Sequence, residues 1–383
     1  MTGIPRSACY TPSKWGARFH ARREEEVFGA GAAGPGKALS LDTIVPTPTG
    51  HRPIADIHSG DTVFGVRGNR VRVLAETEIQ LDRPCYELRI HDQSIVADAE
   101  HEWLTTADHR FSIKTSKEIH ESVFKINIPA AGELDFGGPR ALPIDPYVYG
   151  VCLVMGQPKN RARFTGWDIE LYANMRAVGY TLDEVSYRVS EIRERRDVIN
   201  ELVRERGRRV HGQYLLGSFN QRMALVEGIM DGAGGRGPTV GQDDLPFLGD
   251  LYSLCASVGL GPILCKGYRK GHGVGHYVSI QSRKYRCSRR VSGRPHVKSE
   301  RVRYEVTAIK RVPSVPVKCI QVEGGVYLIT AACIPTHNSM VLLADPLEQV
   351  WVEHIRCMQD DKAIPDAFPE DIKLAIRNNP LRW

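Results

Sequence analysis

The stretch GAAGPGKALSLDT, Gly31 to Thr43, begins one motif and then leaves it. Gly31, Gly36 and Lys37 satisfy G-x-x-x-x-G-K, the spacing of a loop whose backbone N–H groups cradle phosphate. The next position should supply a Ser or Thr hydroxyl to Mg²⁺. Here it is Ala38, which has no oxygen. A helix should follow such a loop. Instead "SLDTIVPTPTGHRPIADIHSGDTVFGV" consists of short β-branched runs broken every few residues by Pro, Gly or Asp, a pattern of strands.

Working outward, "GVRGNRVRV" predicts a hairpin turning at Gly68-Asn69, and "CYELRI" and "SIVADAEHEWLTT" extend an all-β segment to about residue 106. After the Pro/Gly-rich "IPAAGELDFGGPRALPIDP" the apolar period becomes helical. "DPYVYGVCLVMG", "DIELYANMRAVG", "LDEVSYRVSEIRERRDVINELVRERG", "NQRMALVEGIMDG" and "LPFLGDLYSLCASVG" all predict helices, with "HYVSIQS" as an intervening strand. From about 302, "VRYEVTAIKRVPSVPVKCIQVEGGVYLITAACIPTHN" returns to short strands, and "SMVLLADPLEQVWVEHIRCMQ" is helical again. One domain nested in another, itself nested in a third, fits this order.

The chain has 383 residues, 42% hydrophobic and 25% charged, enough for two or three domains with apolar cores. No apolar run has the length of a membrane span and no signal peptide opens the chain, so a cytoplasmic location is expected. Nine scattered cysteines without a C-x-x-C pair argue against zinc and against a disulfide framework. The net charge of +6 is unevenly spread, since the charged residues of 283–303 are all basic except Glu300. That stretch is either a solvated loop or a contact for nucleic acid.

Deleting Ala38 through Asn338 joins the flanks as "GAAGPGKSMVLLADPL". The phosphate loop is then complete, with Ser339 supplying the missing hydroxyl and an apolar run following it. A segment that leaves a repaired motif flush at both edges is built to be removed.

At both edges the segment resembles an intein. "ALSLDTIVPTPTG" is similar to the N-terminal splicing block, and "IPTHNS" to the C-terminal one, with His337, Asn338 and then Ser339. Excision must break two peptide bonds and form one, which acyl shifts through thioester and ester achieve while keeping the acyl group activated. Ala38 cannot be the first nucleophile. Cys319, with Trp103 and Thr336, resembles the Trp–Cys–Thr set of the class 3 inteins, in which the internal cysteine attacks the upstream bond. The resemblance implies attack of Cys319 on the Lys37 carbonyl, acyl transfer to Ser339, and cyclisation of Asn338 assisted by His337. His101 would polarise the upstream amide, Trp103 and Thr336 would support Cys319, and Cys333 is read as a buried thiol. Asp98 departs from the family, where Thr is usual three residues before the histidine.

The implied fold is mixed. A discontinuous all-β, horseshoe-like Hint splicing domain (38–140 and 301–338) carries an inserted α/β domain (141–300), with short helical host segments at 1–37 and 339–383. Within the insert, "VYGVCLVMG" and "VEGIMDGAG" resemble the paired helices of LAGLIDADG homing endonucleases. The positions of that family's metal-binding acids are Met155 and Ala233, so loss of cleavage is expected unless a register shift recruits Asp231. Splicing itself needs no cofactor; Mg²⁺ would serve the endonuclease only if it were active. After splicing, Gly31, Gly36, Lys37 and Ser339 would bind Mg²⁺ and ATP. The flanks resemble the edge of a phage terminase large subunit, which implies DNA-packaging components as partners in a phage-bearing bacterial cell. Double-stranded DNA is expected to contact 283–303, and the precursor is expected to be monomeric. The alternative is a DNA-binding or endonuclease protein in which splicing is secondary.

Overall fold

The computed structural model describes residues 37–107, 110–165, 168–186, 188–204, 209–233, 239–242, 244–269, 273–282, 289 and 302–337. The chain divides into residues 35–338 and a second unit of 1–34 with 339–383. Every described residue belongs to the first. Gly31, Gly36, Asn338, Ser339, the helix expected after 339 and nearly all of the basic stretch 283–303 lie outside the described residues.

The β-rich portion is built on a ten-stranded sheet. Its order runs Val317–Lys318, Leu39–Ser40, Gln93–Asp98, Cys85–Ile90, Arg303–Val312, Asn127–Pro129, Glu102–Ala107, Ile334–His337, Val326–Ile329, with Arg110–Thr115 pairing Glu102–Ala107. All of these pairings are antiparallel. The strands before and after the insert therefore interleave, and neither half can form the sheet alone. Alternation makes the inner face apolar. Leu88, Ile90, Ile95, Ala97 and Trp103 are buried, and they join Tyr327, Ile329 and Ile334 in the core. The expected hairpin around Gly68-Asn69 is present between Thr62–Phe64 and Arg70–Glu76, with Gly68 at φ 79°.

The insert is α/β. Asp145 caps the Pro146–Met155 helix by accepting from Tyr147 N and Val148 N, and Pro146 occupies the first turn, where no N–H is needed. A capping box of Ser218 and Gln221 starts the Phe219–Gly232 helix. These two helices pack at Gly150 and Gly228. A Cβ on Gly228 would lie 2.0 Å from the Tyr147 carbonyl oxygen, and one on Gly150 would lie 2.6 Å from that of Leu225. Two three-stranded antiparallel sheets accompany the pair, one between the helices in sequence, made of 163–165, 182–186 and 189–192, and one after them, made of 239–242, 262–269 and 273–280.

One predicted helix is corrected. "LDEVSYRVSEI" forms a hairpin, Leu182–Ser186 with Val189–Ile192, and only Arg196–Arg204 is helical. Arg188 takes φ 56° between the two strands. Glu191, largely buried, receives Arg163 Nε and Nη2 from the neighbouring strand at 2.9 and 2.6 Å. That cross-strand pairing outweighs the helical propensity of the charged residues. Arg222 ties the insert to the segment leading into it. It is fully buried, bonded to Gly217 O, to Ser257 O and Oγ, and to Leu134 O, and lies 4.8 Å from the Phe136 ring centroid.

Candidate functional site

Ala38 is completely buried. Its carbonyl accepts from Asp98 N at 2.9 Å, which fixes the first peptide unit after Lys37 against the Gln93–Asp98 strand. On the other side the register pairs Leu39 with Lys318 and Ser40 with Val317. In antiparallel register this brings Cys319 abreast of Ala38. The two residues share one small apolar cluster with Cys85 and Val317.

Cys319 is held at both backbone atoms by one residue: its N–H donates to Thr77 Oγ1 at 3.0 Å, and its carbonyl accepts from Thr77 N at 2.9 Å. The preceding Lys318 is buried, with its ammonium bonded to Ala55 O, Ile57 O and Glu76 Oε2. The Cys319 thiol, 1% exposed, donates to Ile320 O at 3.6 Å. Burial pushes its pKa up to about 12, against a lowering by the Lys37 ammonium. The Tyr327 hydroxyl is also buried and has no hydrogen-bond partner among the described residues.

His101 stands on the upstream carbonyl. Its Nδ1–H donates to Lys37 O at 2.8 Å, because a carbonyl can only accept. Its Nε2 is then the acceptor for the Thr336 hydroxyl at 2.5 Å. The ring meets Trp103 edge-on at 4.9 Å, and Trp103 Nε1 donates to Ser116 Oγ at 3.0 Å. His101, Trp103 and Thr336 are all fully buried. Burial lowers His101 to a pKa of about 4, although the Lys37 carbonyl bond acts the other way. The ring is therefore neutral near pH 7, with its single proton directed at Lys37 O.

Asp98 is part of this framework. It is buried, its Oδ2 receives Arg83 Nε at 2.5 Å, its Oδ1 receives Glu100 N, and its carbonyl receives His101 N at 3.1 Å. It shapes the turn that presents His101.

His337 ends the Ile334–His337 strand next to Glu102. Its Nδ1–H donates to Glu102 Oε2 at 2.8 Å. Lys37 Nζ lies 2.9 Å from Glu102 Oε1. Burial alone would raise Glu102, but the His337 bond and the Lys37 charge prevail and hold it at about 2. The structure thus brings His101, Trp103, Thr336, Cys319, Lys37, Ala38 and His337 to one place.

Sequence reading missed Glu102, Thr77 and Ser116. Glu102 adjoins His101 in sequence, but nothing in its spacing pointed to Lys37 or His337. Cys333 is the buried thiol expected, pushed up to about 12 by burial.

In the insert, Met155 and Ala233 stand at the ends of the paired helices; Met155 Cγ lies 3.5 Å from where a Cβ on Gly232 would be. Asp231 is 1% exposed, accepting Tyr147 OH at 2.8 Å and Arg289 N at 3.1 Å. Arg289 also pairs with Glu227 and lies over the Tyr147 ring at 4.3 Å. Asp231 therefore serves here as an internal hydrogen-bond acceptor. Among the described residues no three His, Cys, Asp or Glu side chains form a cation-binding group, and no helix is long and apolar enough to cross a membrane.

No family model matches the chain. Among curated proteins it is similar to the replicative DNA helicase DnaB of Mycobacterium intracellulare, 28% identical over 381 residues, which cover 87% of this chain and 63% of that protein. It is also similar to the replicative DNA helicase DnaB of Mycobacterium leprae (strain TN), 45% identical over 94 residues, or 24% of this chain and 15% of that one. The chain spans less than two thirds of the length of either relative. A match over 87% of the chain exceeds what the two flanks hold, so it runs largely through 38–338. Among solved structures the chain is similar to the Msm DnaB1 intein splicing domain bound with zinc, at 17% identity and a TM-score of 0.29. It is likewise similar to the MchDnaB-1 intein, at 18% and 0.28; each comparison covers 79% of this chain and all of the other. The curated relatives are replicative helicases, and this corrects the expectation of a terminase host.

Proposed function

We propose that residues 38–338 excise themselves and join Lys37 to Ser339, as a Hint-type class 3 intein would. The observation that carries this reading is the convergence on one peptide unit: the His101 Nδ1–H on the Lys37 carbonyl oxygen, and Cys319 abreast of Ala38.

Cys319 Sγ attacks the Lys37 carbonyl carbon. Negative charge grows on the oxygen where the His101 N–H already points, which favours the transition state over the ground state. Collapse breaks the bond to Ala38 N, and the thiol's proton ends on that departing amine. The product is a Lys37 thioester on Cys319. Burial of Ala38, His101, Trp103 and Cys319 shields it from water. Ser339 Oγ then takes the acyl group, restoring the thiol and leaving an ester. The Asn338 side-chain nitrogen closes on its own carbonyl, giving a succinimide and a free Ser339 amine, which converts the ester to an amide.

The joined product carries a complete phosphate loop of Gly31, Gly36, Lys37 and Ser339, and we assign it to a P-loop ATPase using Mg²⁺ and ATP. The insert is read as a LAGLIDADG-like domain that has lost cleavage and retains affinity for double-stranded DNA through 283–303. The close helix pair and the engagement of Asp231 support that reading.

Intact mass spectrometry of the freshly expressed chain, beside Cys319→Ala, tests the splicing reading. A free 38–338 segment with ligated flanks, absent from the variant, is expected. A single 42.7 kDa species in both would overturn it.

A further inference from the structure

Excision fails if Asn338 cyclises before the upstream acyl group has moved, because the downstream flank is then lost. The same carboxylate touches both junctions. Glu102 Oε1 is 2.9 Å from Lys37 Nζ, on the residue whose carbonyl is attacked first. Glu102 Oε2 is 2.8 Å from Nδ1 of His337, which adjoins Asn338. Lys37 is 8% exposed, so its ammonium and the carboxylate interact with little water between them.

We propose that the Lys37–Glu102–His337 chain orders the two cleavages, with Lys37 as a positioning residue that restrains His337 through Glu102 until the upstream bond has been cut. The inference rests on the splicing reading above. In the precursor the Lys37 ammonium neutralises much of the charge Glu102 can direct at His337. Once the acyl group passes to Ser339, Lys37 leaves the Ala38 junction, and its ammonium no longer has to lie on Glu102. The carboxylate then favours His337 as the group that accepts the proton from the Asn338 side-chain amide. That nitrogen forms the succinimide bond, the Asn338–Ser339 bond breaks, and the proton is delivered to the Ser339 amine. A lysine needed for phosphate binding in the joined product would thus report, in the precursor, whether the first step has occurred.

The test uses the full chain carrying Cys319→Ala, in which the first step is blocked, and follows release of 339–383 by intact mass over time. Adding Lys37→Met, which removes the charge, should speed release about tenfold. Lys37→Arg, which keeps the charge, should return it to the slow rate. Adding Glu102→Gln to Lys37→Met should abolish the acceleration. Equal release in all of these chains, including none in any, overturns the coupling. Lys37 is buried, so Lys37→Arg also controls for any loss of packing at its side chain. The chain with Cys319 present separates the two failures: ligated product there with no response to Lys37 sinks only the ordering, and absence of ligated product sinks the splicing reading itself.

Discussion

His101 Nδ1 lies 2.8 Å from the carbonyl oxygen of Lys37, 64 residues earlier, and its other nitrogen lies 2.5 Å from Thr336 Oγ1, 235 residues later. One ring therefore joins the residue just before Ala38 to the last strand, Ile334–His337. Its orientation is held at both nitrogens: the Lys37 carbonyl, which can only accept, sets the proton on Nδ1, and the Thr336 hydroxyl meets Nε2.

Replacing His101 with Ala removes the donor at the developing oxyanion. The first acyl transfer should slow by about 10²–10³-fold. The check is the time course of the branched or ligated species by intact mass. A variant within threefold of the parent would show that another group stabilises the oxyanion.

Thr336→Val keeps the volume and deletes the hydroxyl. His101 then loses its Nε2 partner and with it the hold on its ring orientation, and the first step should fall about tenfold, with recovery in Thr336→Ser. Recovery in Ser separates an orienting hydroxyl from mere packing, since Ser lacks the methyl and keeps the oxygen.

The pH dependence follows from three groups, His101, Glu102 and Cys319. His101 has a folded pKa of about 4 against 6.5 unexposed to burial, so between these values the unfolded chain binds the extra proton. Stability is then full above pH 6.5 and is lost as pH falls toward 4, by about 2 kcal/mol at pH 5. Glu102, held at about 2 against 4.5, adds to the loss only below pH 4.5. Urea midpoints at pH 7 and 5 should show the loss, and His101→Gln should remove most of it. For Cys319, pushed up to about 12, the thiolate fraction grows about tenfold per pH unit. The first step should therefore accelerate from pH 7 to 9.

Gly228→Ala places a Cβ 2.0 Å from the Tyr147 carbonyl oxygen, and this contact is with backbone that cannot rotate away. The paired helices must separate, at a cost of about 2–3 kcal/mol to the insert. Calorimetry should register this as a lower Tm for the insert, while excision of 38–338 persists. Unchanged Tm would mean that the helices already sit farther apart.

Much of the β-rich part and of the helix pair was legible locally. Alternating runs around Leu88 and Ile95 bury one face whatever their partners, and Asp145, Pro146 and Ser218 mark helix starts by satisfying nearby N–H groups. The stretch 182–192 was misread because its charges suit a helix, whereas the Arg163–Glu191 pairing that selects a hairpin comes from another strand.

The sequence by itself determined the broken loop at Lys37-Ala38, the Ser339 hydroxyl that would complete it on joining, and the residue types able to move an acyl group. Those are properties of order along the chain. Only the tertiary structure decided that Cys319 stands abreast of Ala38, that His101 turns Nδ1 toward Lys37, that Asp231 is occupied by Tyr147, and that Glu102 joins Lys37 to His337. Each depends on register between strands distant in sequence and on burial that strengthens short polar contacts, and neither is encoded in any local window.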